Sequence, residues 1–174
     1  LKSNLTVVFL PSIGLISQTV KEWSQNSNYN FSFICICSDN SVVNKDELIE
    51  STVDTYLPST TSPADIKKFF LVKGKKIIFS TYQSSLVLSK SLKNQKIDLM
   101  ICDEAHRCTG LHDSEYTNPL KNELFNVEKR LFFTATKRIY SEATKTTLDK
   151  NNIKVYDMNS PDFGSLFYEM KFSE

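Results

Sequence analysis

Two adjacent carboxylates, Asp103 and Glu104, stand in the stretch KIDLMICDEAHRCTG (residues 96–110), with His106 two positions on. The apolar run IDLMIC reads as a buried strand, so both acids fall at its exit. Magnesium wants hard oxygen ligands and keeps several waters, so one carboxylate beside nucleotide phosphates is enough to hold it. A second carboxylate can then orient or deprotonate an attacking water. On this reading Asp103 serves the metal, Glu104 serves the water, and His106 reaches a neighbouring strand end. A plainer reading stands beside it, with Asp103 as a helix N-cap and Glu104 in the first turn, where acids are favoured in any case. Metal-free acid–base work by the pair fits poorly, because neighbours on an extended strand point to opposite faces.

What must position these acids is a set of short apolar runs alternating with helical patterns. LTVVFL (5–10), FSFICIC (31–37), KIIFS (76–80), IDLMIC (97–102), RLFFTA (130–135) and IKVYDM (153–158) predict six strands. Helices are expected over residues 12–23, over 64–72 behind Ser62-Pro63, over 84–94 and over 141–152. Residues 39–62, rich in Ser, Thr, Asn and Asp, read as an irregular excursion with one short helix, and the tail FGSLFYEMKF as a further strand or a docking segment. Continuous rather than alternating hydrophobicity belongs to strands buried on both faces, which with interleaved helices argues for a parallel sheet in an α/β layer fold. Ligands of such sheets collect beyond the carboxyl ends of the strands. Four of those ends are polar here: PS, STYQS, DEAH and TAT.

The length of 174 residues fits one domain with a substantial core. A net charge of +1 requires any polyanion site to be a local patch, and no apolar run reaches transmembrane length, so no membrane partner is expected. Cys35, Cys37, Cys102 and Cys108 lack the loop spacings of a zinc site; three of them lie in apolar runs and read as packed thiols of a reduced, cytoplasmic protein. No G-x-S-x-G is present, which leaves an unrelated α/β hydrolase using Asp103 with His106 or His112 without its nucleophile.

DEAH (103–106) resembles motif II of superfamily-two helicases and translocases, FLPSIGLISQTVKEW (9–23) their motif Ia, IIFSTYQS (77–84) motif Ib, and LFFTATKRIY (131–140) motif III. The order PS-x-x-L-x-x-Q, STYQS, DEAHR, TAT-x-R-x-Y, with Asp162-Phe163-Gly164 later, is most similar to the helicase-like domains of restriction-modification enzymes and related DNA translocases. The resemblance spans residues 5–170. It implies a three-layer RecA-like P-loop NTPase domain with a mostly parallel sheet, the first motor lobe of an ATP hydrolase that moves along DNA, RNA not being excluded. By position, Asp103 would coordinate magnesium and Glu104 would activate water. His106 with Thr134, Ala135 and Thr136 would couple hydrolysis to movement. Ser12, Gln18, Ser80, Thr81 and Tyr82 would touch the nucleic-acid backbone, where small hydroxyls and helix N-termini suit phosphate oxygens. Each has a bland counterpart: Thr134 and Thr136 as strand formers, Tyr82 as a packing aromatic, Ser12 as a helix cap, Arg107 and Arg138 as solvated side chains. Lys67 and Lys68 read as solvated, while Lys73, Lys75 and Lys76 could add to a polyanion surface.

ATP binding in this family needs G-x-x-x-x-G-K-[ST], whose amides surround the phosphates. Gly14, Gly74, Gly110 and Gly164 begin no such pattern. Residues 1–174 therefore read as one partial helicase ATP-binding domain, lacking the first strand and phosphate loop, with the second motor lobe elsewhere in the polypeptide. A lost strand is expected to leave an apolar gap in the sheet, and the 174 residues alone are expected to turn over ATP negligibly. The alternative is a shortened, non-hydrolysing module that binds nucleic acid or protein on the same scaffold.

Overall fold

A computed structural model describes residues 3–37, 59–93, 95–151 and 153–170. Five strands form one sheet: β1 (Leu5–Leu10), β2 (Phe31–Ile36), β3 (Lys75–Thr81), β4 (Ile97–Cys102) and β6 (Val127–Phe132), in the order β2-β3-β1-β4-β6. Every pairing is parallel, with Leu10 beside Thr81, Phe9 beside Cys102, and Cys102 beside Phe132. All five carboxyl ends therefore share one edge.

Side-chain alternation divides the core into two layers. Leu5, Val7, Phe9, Ile34, Ile36, Ile78 and Met100 face one side, joined by Ile66 and Phe69 of α2 (Pro63–Phe70) and Leu88 and Leu92 of α3 (Ser85–Leu92). Val8, Leu10, Cys35 and Phe79 face the other, against Ile16 and Val20 of α1 (Ile13–Asn26). This is the three-layer α/β arrangement expected. Arg130 of β6 ties in the segment before it, donating to the carbonyls of Pro119 (2.9 Å) and Phe125 (3.4 Å) and to Asn122 Oδ1 (2.9 Å). Among the described residues no helix is long and apolar enough to cross a membrane. All four cysteines are buried, and burial pushes the Cys35 thiol up to about 12, with the neighbouring Cys37 adding to the rise.

Two expectations are corrected. The run IKVYDM does not join the parallel sheet; only β7 (Val155–Tyr156) pairs, antiparallel with β5 (Gly110–Leu111), in a separate two-stranded ladder. The reason is visible in burial: Ile153 is exposed and Val155 half-buried, so the run is one-sided and not of the doubly buried kind. β6 starts at Val127, three residues before the expected 130, because Glu128 and Lys129 lie on an open strand edge where charge is tolerated. Among the described residues β4 pairs directly with β1 and β6, and β6 stands at the edge of the sheet. Residues 165–170 form no strand. The excursion expected over 39–62 lies outside the described residues except at its end, where the Thr60 N–H donates to the Cys35 carbonyl (2.9 Å).

Asp98 fastens the opposite edge, its carboxylate accepting from the backbone N–H groups of Asn4 (2.7 Å) and Leu5 (3.0 Å). The bond from Leu5, followed by that from Asn4, holds its pKa below the usual carboxylate value. A depressed native pKa stabilises the fold above the unfolded-state value of about 4 and stops doing so as pH falls through the native one. Asp98→Ala should thus lower the urea midpoint at pH 7, and the gap from wild type should close as the pH is taken below 4. A gap that stays constant with pH would show that the carboxylate charge is not involved.

Candidate active site

β4 ends in the middle of the sheet, and both neighbouring strands hold the turn that follows. The Asp103 N–H donates to the Phe9 carbonyl of β1 (3.0 Å), and the Ala105 N–H donates to the Phe133 carbonyl just beyond β6 (2.8 Å). Phe133 in turn donates to the Cys102 carbonyl (2.9 Å). Between these anchors Glu104 sits in the left-handed region, at φ 49° and ψ 47°, with the sole positive φ outside glycine among the described residues. Such a backbone costs an L-residue about 1–2 kcal/mol, so the anchors must over-determine it. The consequence is chemical: the turn breaks the strand alternation that would have sent the two carboxylates to opposite faces. Asp103 is not a simple helix N-cap, since only a short 3₁₀ turn (Ala105–Cys108) follows and Glu104 occupies its cap position without a side-chain bond.

His106 joins two strand ends. Its Nδ1 lies 3.2 Å from Glu104 Oε2 and 3.0 Å from Thr134 Oγ1. The Thr134 hydroxyl donates to the Thr136 carbonyl (3.0 Å) and accepts from the Thr136 N–H (3.1 Å), so the Thr134-Ala135-Thr136 segment is a closed local turn. With that hydroxyl proton committed to Thr136, Nδ1 is the donor to Thr134 Oγ1, and its proton lies beside the Glu104 carboxylate. Asp103 is half-buried beside this network, and its carboxylate makes no hydrogen bond or ion pair among the described residues. A single uncommitted hard-oxygen donor at a strand exit fits magnesium accompanied by phosphates. No cluster of three or more metal-ligating side chains exists among the described residues, so the protein by itself would supply only a partial shell.

The residues expected along a nucleic-acid strand separate into two groups. Ser12 is exposed at the start of α1, where its Oγ accepts from the Leu15 N–H (3.3 Å); Gln18 is exposed on the same helix and donates to Glu22 (3.0 Å). Ser80, Thr81 and Tyr82 are buried, at 0%, 6% and 0% exposure. Ser80 donates to the Thr81 carbonyl, Thr81 to Ser84 Oγ, and Tyr82 to the Asp103 carbonyl (2.6 Å). Their side chains face inward, and the apolar face of β3 continues through Tyr82 instead of ending before it. Lys75 and Lys76 begin β3 and so lie at the edge opposite the acids, with Lys75 Nζ 4.1 Å from the Tyr29 ring centroid. Arg107 is exposed; Arg138, also exposed, lies over Tyr140 (5.4 Å). His112 pairs with Asp113 (3.0 Å) and stacks on Tyr156, away from the acids.

Sequence reasoning missed the strained backbone at Glu104 and the carbonyl of Phe133, for which side-chain identity carries no signal. It also missed Tyr82 as a buried partner of Asp103, whose one sequence sign was its place directly after a continuous apolar run.

The family described as type III restriction enzyme, res subunit (ResIII) matches residues 1–139. The chain belongs to this family. As a ResIII chain it has the helicase-like, RecA-like motor fold, and solved structures agree. A nuclease-deletion mutant of the Type ISP restriction-modification enzyme LlaGI, in complex with a DNA substrate mimic, is 31% identical with a TM-score of 0.62, over 78% of this chain and 11% of that one. The ATP-dependent Type ISP restriction-modification enzyme LlaBIII bound to DNA is 27% identical with a TM-score of 0.70, over 97% and 12%. The Hef helicase domain of Pyrococcus furiosus shares the fold at 18% identity and a TM-score of 0.51, over 92% and 30%. The ResIII chain thus spans about a ninth of the length of the two restriction-modification enzymes. No curated protein sequence matches it.

The His106 network makes a direct spectroscopic prediction. Nitrogen-15 shifts of the neutral imidazole should show a protonated Nδ1 and a bare Nε2, and Glu104→Ala combined with Thr134→Val should return the ring to the mixture seen in water. A wild-type ring protonated at Nε2 would contradict the bridge between Glu104 and Thr134.

Proposed function

We propose that these residues form part of the ATP site of a nucleic-acid-dependent ATPase, a helicase or translocase acting on DNA. The observation that carries this reading is the His106 imidazole, hydrogen-bonded to Thr134 and 3.2 Å from the Glu104 carboxylate, two polar groups delivered by adjacent parallel strand ends. A scaffold has no physical need for such a bridge, whereas a motor needs its water-activating group tied to a segment that can report on nucleotide state. Asp103 would hold magnesium, which with ATP bound would neutralise charge developing on the transferred phosphoryl group. Glu104 would orient and deprotonate water, with the His106 ring 3.2 Å from its Oε2 limiting how the carboxylate can turn. Through Thr134, the turn over Ala135 and Thr136 would pass the state of Glu104 to the rest of the motor.

DNA is the favoured polymer because one restriction-modification relative is described as bound to DNA and the other as in complex with a DNA substrate mimic. Ser12, at the N-terminus of α1, and Gln18 remain the surface candidates for the backbone of that strand. The phosphate-binding loop and the second motor lobe would come from other parts of the same polypeptide. The alternative is a non-hydrolysing module that binds nucleic acid or protein on the same scaffold.

Turnover separates the two. In the full-length polypeptide, Glu104→Gln should retain ATP binding while ATP turnover falls by roughly 10²–10⁴-fold, the size of a lost general base. Turnover that Glu104→Gln leaves at the wild-type level removes Glu104 from the chemistry. Thr134→Ala with Thr136→Ala should abolish most DNA stimulation while ATP binding persists; full stimulation in that double variant would rule out coupling through this turn.

A further inference from the structure

The peptide unit joining Asp103 to Glu104 lies between two peptide units whose amides are held by the sheet, and its own carbonyl is held by a side chain. Phe9 and Phe133 hold the amides on either side through their carbonyls. The remaining handle, the Asp103 carbonyl, accepts from the Tyr82 hydroxyl at 2.6 Å. That carbonyl belongs to the same rigid plane as the Glu104 N–H. Rotating the plane changes ψ of Asp103 and φ of Glu104 together, so holding its carbonyl holds Glu104 in the left-handed region.

Tyr82 is well placed to prevent that rotation. Its residue is 0% exposed; its ring stacks on Phe9 at 5.5 Å and 22° and lies 5.5 Å from the Tyr116 ring at 32°. Phe9 is itself the residue whose carbonyl holds the Asp103 amide, so one stacked pair grips the turn at two points. Tyr116 is fixed from the far side by Gln83, whose amide donates to the Tyr116 hydroxyl at 2.9 Å. Burial drives the ionisation of Tyr82 far above its ordinary value, which keeps the hydroxyl a neutral donor at any working pH.

We infer that Tyr82 is a positioning residue: its hydroxyl locks the Asp103–Glu104 peptide in the left-handed turn from which both carboxylates are presented. The inference rests on the ATPase reading for its catalytic consequence, but the lock itself does not. Ordinary core packing would equally bury the ring, and would equally give its hydroxyl some acceptor. What distinguishes the two is whether loss of one oxygen is felt locally at the turn and in the chemical step.

Tyr82→Phe keeps the ring and its stacking and removes only the donor. In the full-length polypeptide, kcat for ATP should fall about tenfold to a hundredfold, as for a misplaced catalytic group, with KM for ATP within about twofold of wild type. Hydrogen–deuterium exchange should accelerate in peptides covering 103–106 and stay unchanged in those covering β1 and β3. Exchange at the turn that matches wild type, exchange that rises equally across the sheet, or an unchanged kcat would each overturn the assignment. A wild-type polypeptide without any ATP turnover would instead refute the functional reading, and the exchange pattern would still decide whether Tyr82 holds the turn.

Discussion

The arrangement depends on a short turn being held in a backbone conformation it would not adopt alone. β4 lies between β1 and β6, so a carbonyl from each side is available just where it ends, and those two carbonyls take the amides of Asp103 and Ala105. An edge strand could be gripped from one side only. Central placement in a parallel sheet is thus the condition for presenting two consecutive acids at a strand exit with a fixed relative orientation. The strain at Glu104 is offset by these bonds and persists because the surrounding sheet leaves the turn no alternative.

The grip reaches into the core through Phe9. Its carbonyl holds the Asp103 amide, while its fully buried ring stacks on Tyr82 and meets Phe125 edge-on at 5.8 Å. Packing on the α2–α3 face of the sheet and the geometry of the acids therefore share a residue. On the β6 side the link is polar: His106 spans from Glu104 to Thr134, whose own turn is closed by two bonds to Thr136. A change of state at Glu104 has a stiff, buried anchor on one flank and an exposed, hydrogen-bonded turn on the other.

Much of this was legible in the sequence. Parallel strands buried on both faces leave continuous apolar runs, which is why LTVVFL, FSFICIC, KIIFS and IDLMIC mapped onto β1 to β4 almost residue for residue. The polar exits at Ser12, Thr81, Asp103 and Thr134 could be expected along one edge because parallel strands have no other option. What failed did so for physical reasons. IKVYDM has the composition of a strand but only one buried face, so periodicity alone could not assign it to the main sheet. Tyr82 is amphipathic, and sequence cannot say whether its hydroxyl meets solvent or a carbonyl 21 residues away. The left-handed turn at Glu104 is imposed by backbone groups of Phe9 and Phe133, which any residue type would supply.

The central claim is that this held turn aims one carboxylate at a metal and the next at a water. It is tested most directly by a crystal structure of the full-length polypeptide with magnesium and a non-hydrolysable ATP analogue. The account predicts an Asp103 oxygen in contact with magnesium, directly at about 2.0–2.1 Å or through one of its waters, with a Glu104 oxygen within hydrogen-bond reach of a water beside the terminal phosphate. A nucleotide and metal bound elsewhere, with Asp103 and Glu104 facing empty solvent, would contradict it.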